Sequence, residues 1–140
     1  MVTTTPTGIV RIDTETWQVV DRLDAPISDI ALSPDGDRLI GYGNSNREAP
    51  NDSGYRSMGY FVIDAFDLTV LQTHRTDQPT LSYSTIGFSE AGEIGYVGYY
   101  DDQGISKIEL VATENGDTIR TLHGWDLQLF AKAGVLIARE

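Results

Sequence analysis

The sequence predicts an all-β protein built from four-stranded antiparallel units, about three units' worth, incomplete as a monomer. Three observations predict it. Short segments of alternating apolar and polar residues are separated by turns rich in Gly, Pro, Asp and Asn. Two kinds of hairpin recur along the chain. No 3.6-residue apolar period survives the scattered Gly and Thr, so helices are not expected.

Composition sets the bounds. The 140 residues suit one domain, and the apolar share of 40% with 22% charged residues is that of an ordinary globular chain. Ten Lys and Arg stand against 21 Asp and Glu, a net charge of −11. Nucleic-acid binding through phosphates needs clustered cations, and an anionic membrane repels such a chain; neither partner is expected. No segment has the length of a membrane-spanning apolar run. The absence of Cys removes disulfides and thiolate chemistry. MVTTTPTGIV lacks the charged and apolar regions of a signal peptide, which leaves the compartment open.

The elements follow in order. "VRIDTETWQVVDRL" from Val10 reads as a β-branched strand, a polar turn and a second strand. "FVIDAFDLTVLQTH" from Phe61 and "IELVATENGDTIRTL" from Ile108 repeat that layout; Ile12-Asp13, Ile63-Asp64 and Leu110-Val111 are matched across the three. These outer hairpins supply strands c and d of each unit. "IALSPDGDRLIGYG" (30–43) is the other type, a–b, with Pro34 and Gly36 providing the dihedrals of a tight turn. "IGFSEAGEIGYVGYY" echoes it around Ser89 and Gly92, and "LQLFAKAGVLIA" around Gly134. Residues 1–25 are thus expected to form the c–d hairpin of one blade, 26–76 a second blade, 77–123 a third, and 124–140 an a–b hairpin that completes a blade. A recurrence of this size means a propeller or solenoid.

"GIVRIDTETWQVVDRLDAPISDIALSPDGDRLIGYG" resembles the YVTN-type β-propeller repeat, a WD-like repeat family. Val10, Ile12, Asp13, Val19, Val20, Pro26, Ser33, Pro34, Asp35, Gly36 and Leu39 carry the likeness. The second unit keeps Ile63, Asp64, Pro79, Ser89, Gly92, Tyr96 and Val97 but has Glu90-Ala91 in place of Pro-Asp. The resemblance implies blades around a channel and leaves the chemistry open. Closed propellers take about four to eight blades, so three need more protein. Either two copies interlock head to tail as a six-bladed ring, or flanking blades complete the circle.

Binding residues are expected where the b–c and d–a connections gather. The first b–c loop, "GNSNREAPNDSGYRSMG" (43–59), offers Asn46, Arg47, Glu48, Asn51, Asp52, Tyr55 and Arg56 to a protein or a small polar ligand. His123 and Trp125 are expected on a d–a link, on the same face. Asp101 and Asp102 are oxygen donors of the kind Ca²⁺ takes, and no other cofactor is suggested. Asp13 and Asp64 are expected to cap their turns rather than meet a ligand, and His74 to pack. No catalytic residue is assigned. The expected function is a non-catalytic binding or scaffold module. The alternatives are part of a propeller enzyme, of the lactonase-like hydrolase or dehydrogenase-subunit kind that the resemblance implies, and a structural cell-surface repeat.

Overall fold

A computed structural model describes residues 1–5, 8–25, 27–44, 57–74, 82–101 and 103–124. They form three antiparallel sheets of three, four and four strands, and no helix. The first sheet contains β1 (Val2–Thr5), β2 (Gly8–Ile12) and β3 (Val19–Asp24). The second runs β4 (Asp29–Leu32), β5 (Arg38–Asn44), β6 (Ser57–Asp64) and β7 (Val70–His74). The third runs β8 (Ser82–Phe88), β9 (Ile94–Tyr100), β10 (Ser106–Ala112) and β11 (Thr118–Gly124). In each, every strand pairs with its neighbour in sequence, so all three are simple meanders. The predicted hairpin at 124–140 lies outside the described residues, apart from Gly124 at the end of β11.

One strand was not expected. β1 pairs with β2 from Val2↔Arg11 to Thr5↔Gly8, at the edge where a terminal a–b hairpin was expected to complete the blade. Its run of Thr after Val2 suits a strand but offers no alternation to detect. The Met1 ammonium also donates to the Ile12 carbonyl, 2.8 Å, tying the first residue to this sheet.

The turns show why these segments recur. In the outer hairpins the N–H of Asp13 donates to Gln18 O, that of Asp64 to Thr69 O and that of Ala112 to Asp117 O, at 2.8–2.9 Å. Each turn then places its fifth residue at positive φ: Trp17 at 58°, Leu68 at 60° and Gly116 at 79°. A ladder irregularity accompanies each turn, at Arg11/Ile12, Val62/Ile63 and Leu110/Val111. The hydrogen bonds align Val111-Ala112, not Leu110-Val111, with Ile63-Asp64. Apolar identity had pulled the match one residue early. Ala112 has no side-chain acceptor to cap its turn; Asn115 serves there, accepting from Asp117 N at 3.0 Å as Asp67 does from Thr69 N at 2.9 Å.

The inner hairpins match in the same way. Gly36 N and Gly92 N each donate to the carbonyl of the Ser three residues before, 2.9 Å, with φ of 82° and 76°. The Ser33 and Ser89 hydroxyls accept from Arg38 N and Ile94 N. The two turns thus share their Ser and Gly bonds although Pro-Asp stands in one and Glu-Ala in the other, and Asp35 adds bonds from the Ser33 hydroxyl and the Asp37 amide to the first.

Period-2 alternation makes the second sheet the middle layer. Leu39, Phe61 and Ile63 face the first sheet and pack with Ile9, Leu23 and Val2. Ile40, Tyr60 and Val62 point the other way, against Val97 and Val111 with Ile86, Phe88 and Tyr99 of the third sheet. The sheets approach along one flank, where β1 nears β4 and β4 nears β8. On the far side of the third sheet Tyr96 lies across Gly87, its cross-strand partner, so that an aromatic ring covers the missing side chain.

Candidate functional site

The two ends of the sheets differ in chemistry. One end carries the tight turns, and several of its carboxylates are consumed by them. Asp13 accepts from the Glu15 and Thr16 amides, and Asp64 from Phe66 N and the Arg38 guanidinium. The Thr16 and Glu15 amides hold Asp13 below the usual carboxylate range; the Ser33 hydroxyl and Asp37 amide do the same for Asp35, and Thr69 for Asp67. Both Asp13 and Asp64 are caps, as expected. The other end carries the β5–β6 and β9–β10 connections and the exits of β7 and β11.

A polar cluster lies between the second and third sheets, beyond the apolar layer of Ile40, Val62, Val97 and Val111. Glu109 sits on β10 facing the second sheet. Its two carboxylate oxygens accept the hydroxyls of Tyr60 (2.5 Å) and Tyr99 (2.8 Å). Tyr60 is only 2% exposed, and burial together with the Glu109 charge pushes its phenol upward, so it stays protonated as a donor. His74 stacks on Tyr60 with ring centroids 4.2 Å apart and 13° between planes, while its Nε2 meets the Gly116 carbonyl at 2.6 Å. His74 therefore packs, as expected. Next to Glu109 on the same face, Lys107 reaches Asp101 at 3.1 Å. On β5, Tyr42 stands opposite Tyr60, its phenol bonded to Asp29 and raised by burial and by that carboxylate.

This arrangement gathers three phenols, three carboxylates (Glu109, Asp101 and Asp29) and one ammonium, bonded to one another. Charge-assisted bonds of this kind are short and directional. Sequence reading missed Tyr60, Tyr99 and Glu109. Glu109 did leave a signal: it interrupts the apolar run Ile108–Val111, where a half-buried acid needs partners.

The predicted site residues are only partly on view. Asn46, Arg47, Glu48, Asn51, Asp52, Tyr55, Arg56, Asp102 and Trp125 lie outside the described residues. Asp101 accepts the amides of Gln103 (3.0 Å) and Ile105 (2.8 Å) on one oxygen and pairs with Lys107 through the other. The Ile105 amide is the main reason its carboxyl is held low, with Lys107 adding to it. A cation at this carboxylate has to displace Lys107. Among the described residues, no three His, Asp or Glu side chains converge as metal ligands. His123 lies within β11, exposed, opposite Lys107 rather than on a link.

No protein-family profile matches the sequence. No curated protein matches it either. Among solved structures it is similar to a chain described as "Crystal structure of the eukaryotic initiation factor", with a TM-score of 0.44 and 10% identity. That likeness covers 92% of this chain and 43% of the other, so the chain spans less than half of its neighbour's length. At that score the likeness carries no functional argument.

Proposed function

We propose that the protein is a non-catalytic β-propeller binding module, its three sheets being consecutive blades and its loop-bearing end the face that takes a small polar ligand or a protein partner. The blade reading is supported by outer turns that share one closing amide-to-carbonyl bond and one residue at positive φ, and by flanks that converge along β1, β4 and β8. The binding reading rests on one observation above the others: Glu109, clasped by Tyr60 and Tyr99 and flanked by the Lys107–Asp101 pair, sits between rigid sheets beneath the connections that hold the Asn- and Arg-rich loop. A hydroxyl-rich or amine-bearing ligand matches such donors and acceptors. Rigid strands hold the cluster, and the loop supplies the variable contacts.

The test is a thermal-shift screen of the full chain against neutral sugars, polyols, amines and Ca²⁺. A ligand of this module at a hundred times its Kd raises stability by about 2.7 kcal/mol. The double variant Arg47→Ala/Arg56→Ala is expected to abolish the rise while leaving the unliganded midpoint unchanged. A screen in which no compound moves the midpoint, or in which the loop variant responds like the parent, removes the small-ligand reading. Turnover of a lactone or amine by the pure protein replaces it with an enzyme.

A further inference from the structure

The contacts between sheets obey a rule that can be carried one step further. On the second sheet, Phe61, Ile63, Ala65, Leu68 and Val70 lead toward the first sheet. The same five positions of the third sheet, 48 residues on, are Glu109, Val111, Thr113, Gly116 and Thr118, and they lead toward the second. The residue at positive φ is the peg of each interface. Leu68 is 3% exposed within the core that joins the first two sheets. Gly116 is buried so tightly that a Cβ there comes within 2.5 Å of Gln72 Cβ and 3.1 Å of Val62 Cβ.

The first sheet has the corresponding leading face: Val10, Ile12, Thr14, Trp17 and Val19, of which Val10 is buried and Ile12 half-buried within the chain while the last three are exposed. Its peg is the largest side chain of the three, held at a φ of 58° that bulky residues avoid, yet it is 70% exposed. Val19 is 53% exposed and Val20 47%. Among the described residues, no sheet stands on this side. The receiving positions repeat as well. Tyr60, Val62, Gln72 and His74 receive the third sheet, and their counterparts on the third sheet are Ile108, Leu110, Arg120 and Leu122; Ile108 is already buried within the chain, at 3% exposure, which leaves half-buried Leu110 and Leu122 and exposed Arg120 to receive a partner.

We propose that Trp17 and the leading face of the first sheet dock on the receiving face of the third sheet in a second copy of the chain, with Trp17 over Leu110 and Arg120. The partner is a second copy because the two faces are the two halves of an interface already made twice within the chain. Arg120, exposed on its strand, meets the rim of the Trp17 turn, which carries Asp13 and Glu15. A cation over a Trp ring is itself favourable, as Arg11 over Phe66 at 5.2 Å illustrates at the interface between the first two sheets. Made reciprocally, the contact closes by a two-fold axis into six sheets. It needs no hairpin from the partner at the β2 edge, which β1 already fills. The inference rests on the blade reading.

Sedimentation of the full chain against concentration tests it, with the variant Trp125→Phe leaving Trp17 as the single tryptophan, excited selectively near the red edge of its absorption. The expected result is a species of twice the 15.4 kDa chain mass at high concentration, with Trp17 emission moving to shorter wavelength as it forms. Trp17→Gly and Arg120→Glu each shift the dimerisation Kd upward at least tenfold. Because Gly accepts positive φ, Trp17→Gly keeps its β circular dichroism, and its unfolding midpoint as a monomer does not fall. A monomer at every concentration, a Trp17→Gly protein that still dimerises, or an open polymer overturns the docking. None of these touches the blade reading, which fails instead if the matched turns respond differently to matched substitutions.

Discussion

Gly116→Ala separates two costs that glycine turns usually combine. Gly116 and Gly36 both adopt positive φ, 79° and 82°, but a Cβ at Gly36 meets nothing within 4 Å whereas one at Gly116 runs into Gln72 and Val62. The left-handed conformation costs an L-residue about 1–2 kcal/mol at either site. At Gly116 the obstructing atoms are Cβ atoms, fixed to the backbone of the second sheet, so no rotamer relieves the contact. The turn must back away, at a further cost of about 1–3 kcal/mol as in other overpacked interiors. Gly116→Ala should therefore destabilise by about 2–5 kcal/mol and Gly36→Ala by about 1–2 kcal/mol. For a domain with a total of about 5–15 kcal/mol, urea titration reads both from the midpoint at constant slope. The double variant Gly116→Ala/Gln72→Gly recovers part of the loss, since it removes the nearer Cβ, and that coupling is expected near 1 kcal/mol (roughly). Equal losses for the two single variants, within about 0.5 kcal/mol, refute the close packing of the third sheet's turn on the second sheet.

Three further outcomes follow from the same geometry. Leu68→Ala, at a 3% exposed position in the core between the first two sheets, lowers the urea-derived stability by about 2–5 kcal/mol. A loss below one-quarter of that range places the side chain outside the core. Tyr60→Phe leaves one Glu109 oxygen without its phenol donor and costs about 1–3 kcal/mol, more than Tyr100→Phe on the exposed rim. Equal effects argue that Glu109 is satisfied by water. Acid sensitivity has a fixed sign: Asp13, Asp35, Asp67 and Asp101 have carboxyls held below their ordinary value in the folded chain. The unfolded chain then binds more protons, so the stability these groups supply is complete above their ordinary value of 3.8 and is lost as pH falls through the folded values. Thermal midpoints measured downward from neutral pH should hold steady until roughly pH 4–5 and then fall, less steeply in Asp35→Asn. A midpoint that rises in that interval contradicts the capping role of these residues.

Turn chemistry and alternation made most of the sheet order legible. Ser33-Pro34-Asp35-Gly36 and Ser89-Glu90-Ala91-Gly92 give the same bonds because the Ser hydroxyl and the Gly dihedral do the work, and both are visible as letters. The third outer turn was read one residue out of step because its hydrogen bonds, not its apolar letters, define the register, and Ala112 shows no cap. β1 escaped notice since Val-Thr-Thr-Thr alternates nothing. The polar cluster was hidden for a different reason. Tyr60 and Tyr99 look like core aromatics, and they are; what matters is a hydrogen bond to Glu109 that spans 49 residues of chain in one case and crosses a sheet diagonally in the other. No local pattern encodes a partner chosen by the stacking of two sheets.

That stacking also explains why the repeat is strict in backbone and loose in side chains. The outer turn needs only its amide-to-carbonyl bonds and one residue at positive φ, so any sequence that closes the turn is admissible. The side chain at that residue is then selected by the neighbouring sheet. Between the first two sheets the neighbour presents Ile9 and Leu23, and Leu68 fills the space; between the second and third, Val62, Gln72 and the His74–Tyr60 stack come so close that only Gly116 fits. By the same logic, in the dimer proposed above the exposed Trp17 of the first turn is the side chain selected by the third sheet of the second copy. If Trp17→Gly stabilises the monomer and Leu68→Gly does not, position by position the turn backbone is the constant and the neighbour the variable.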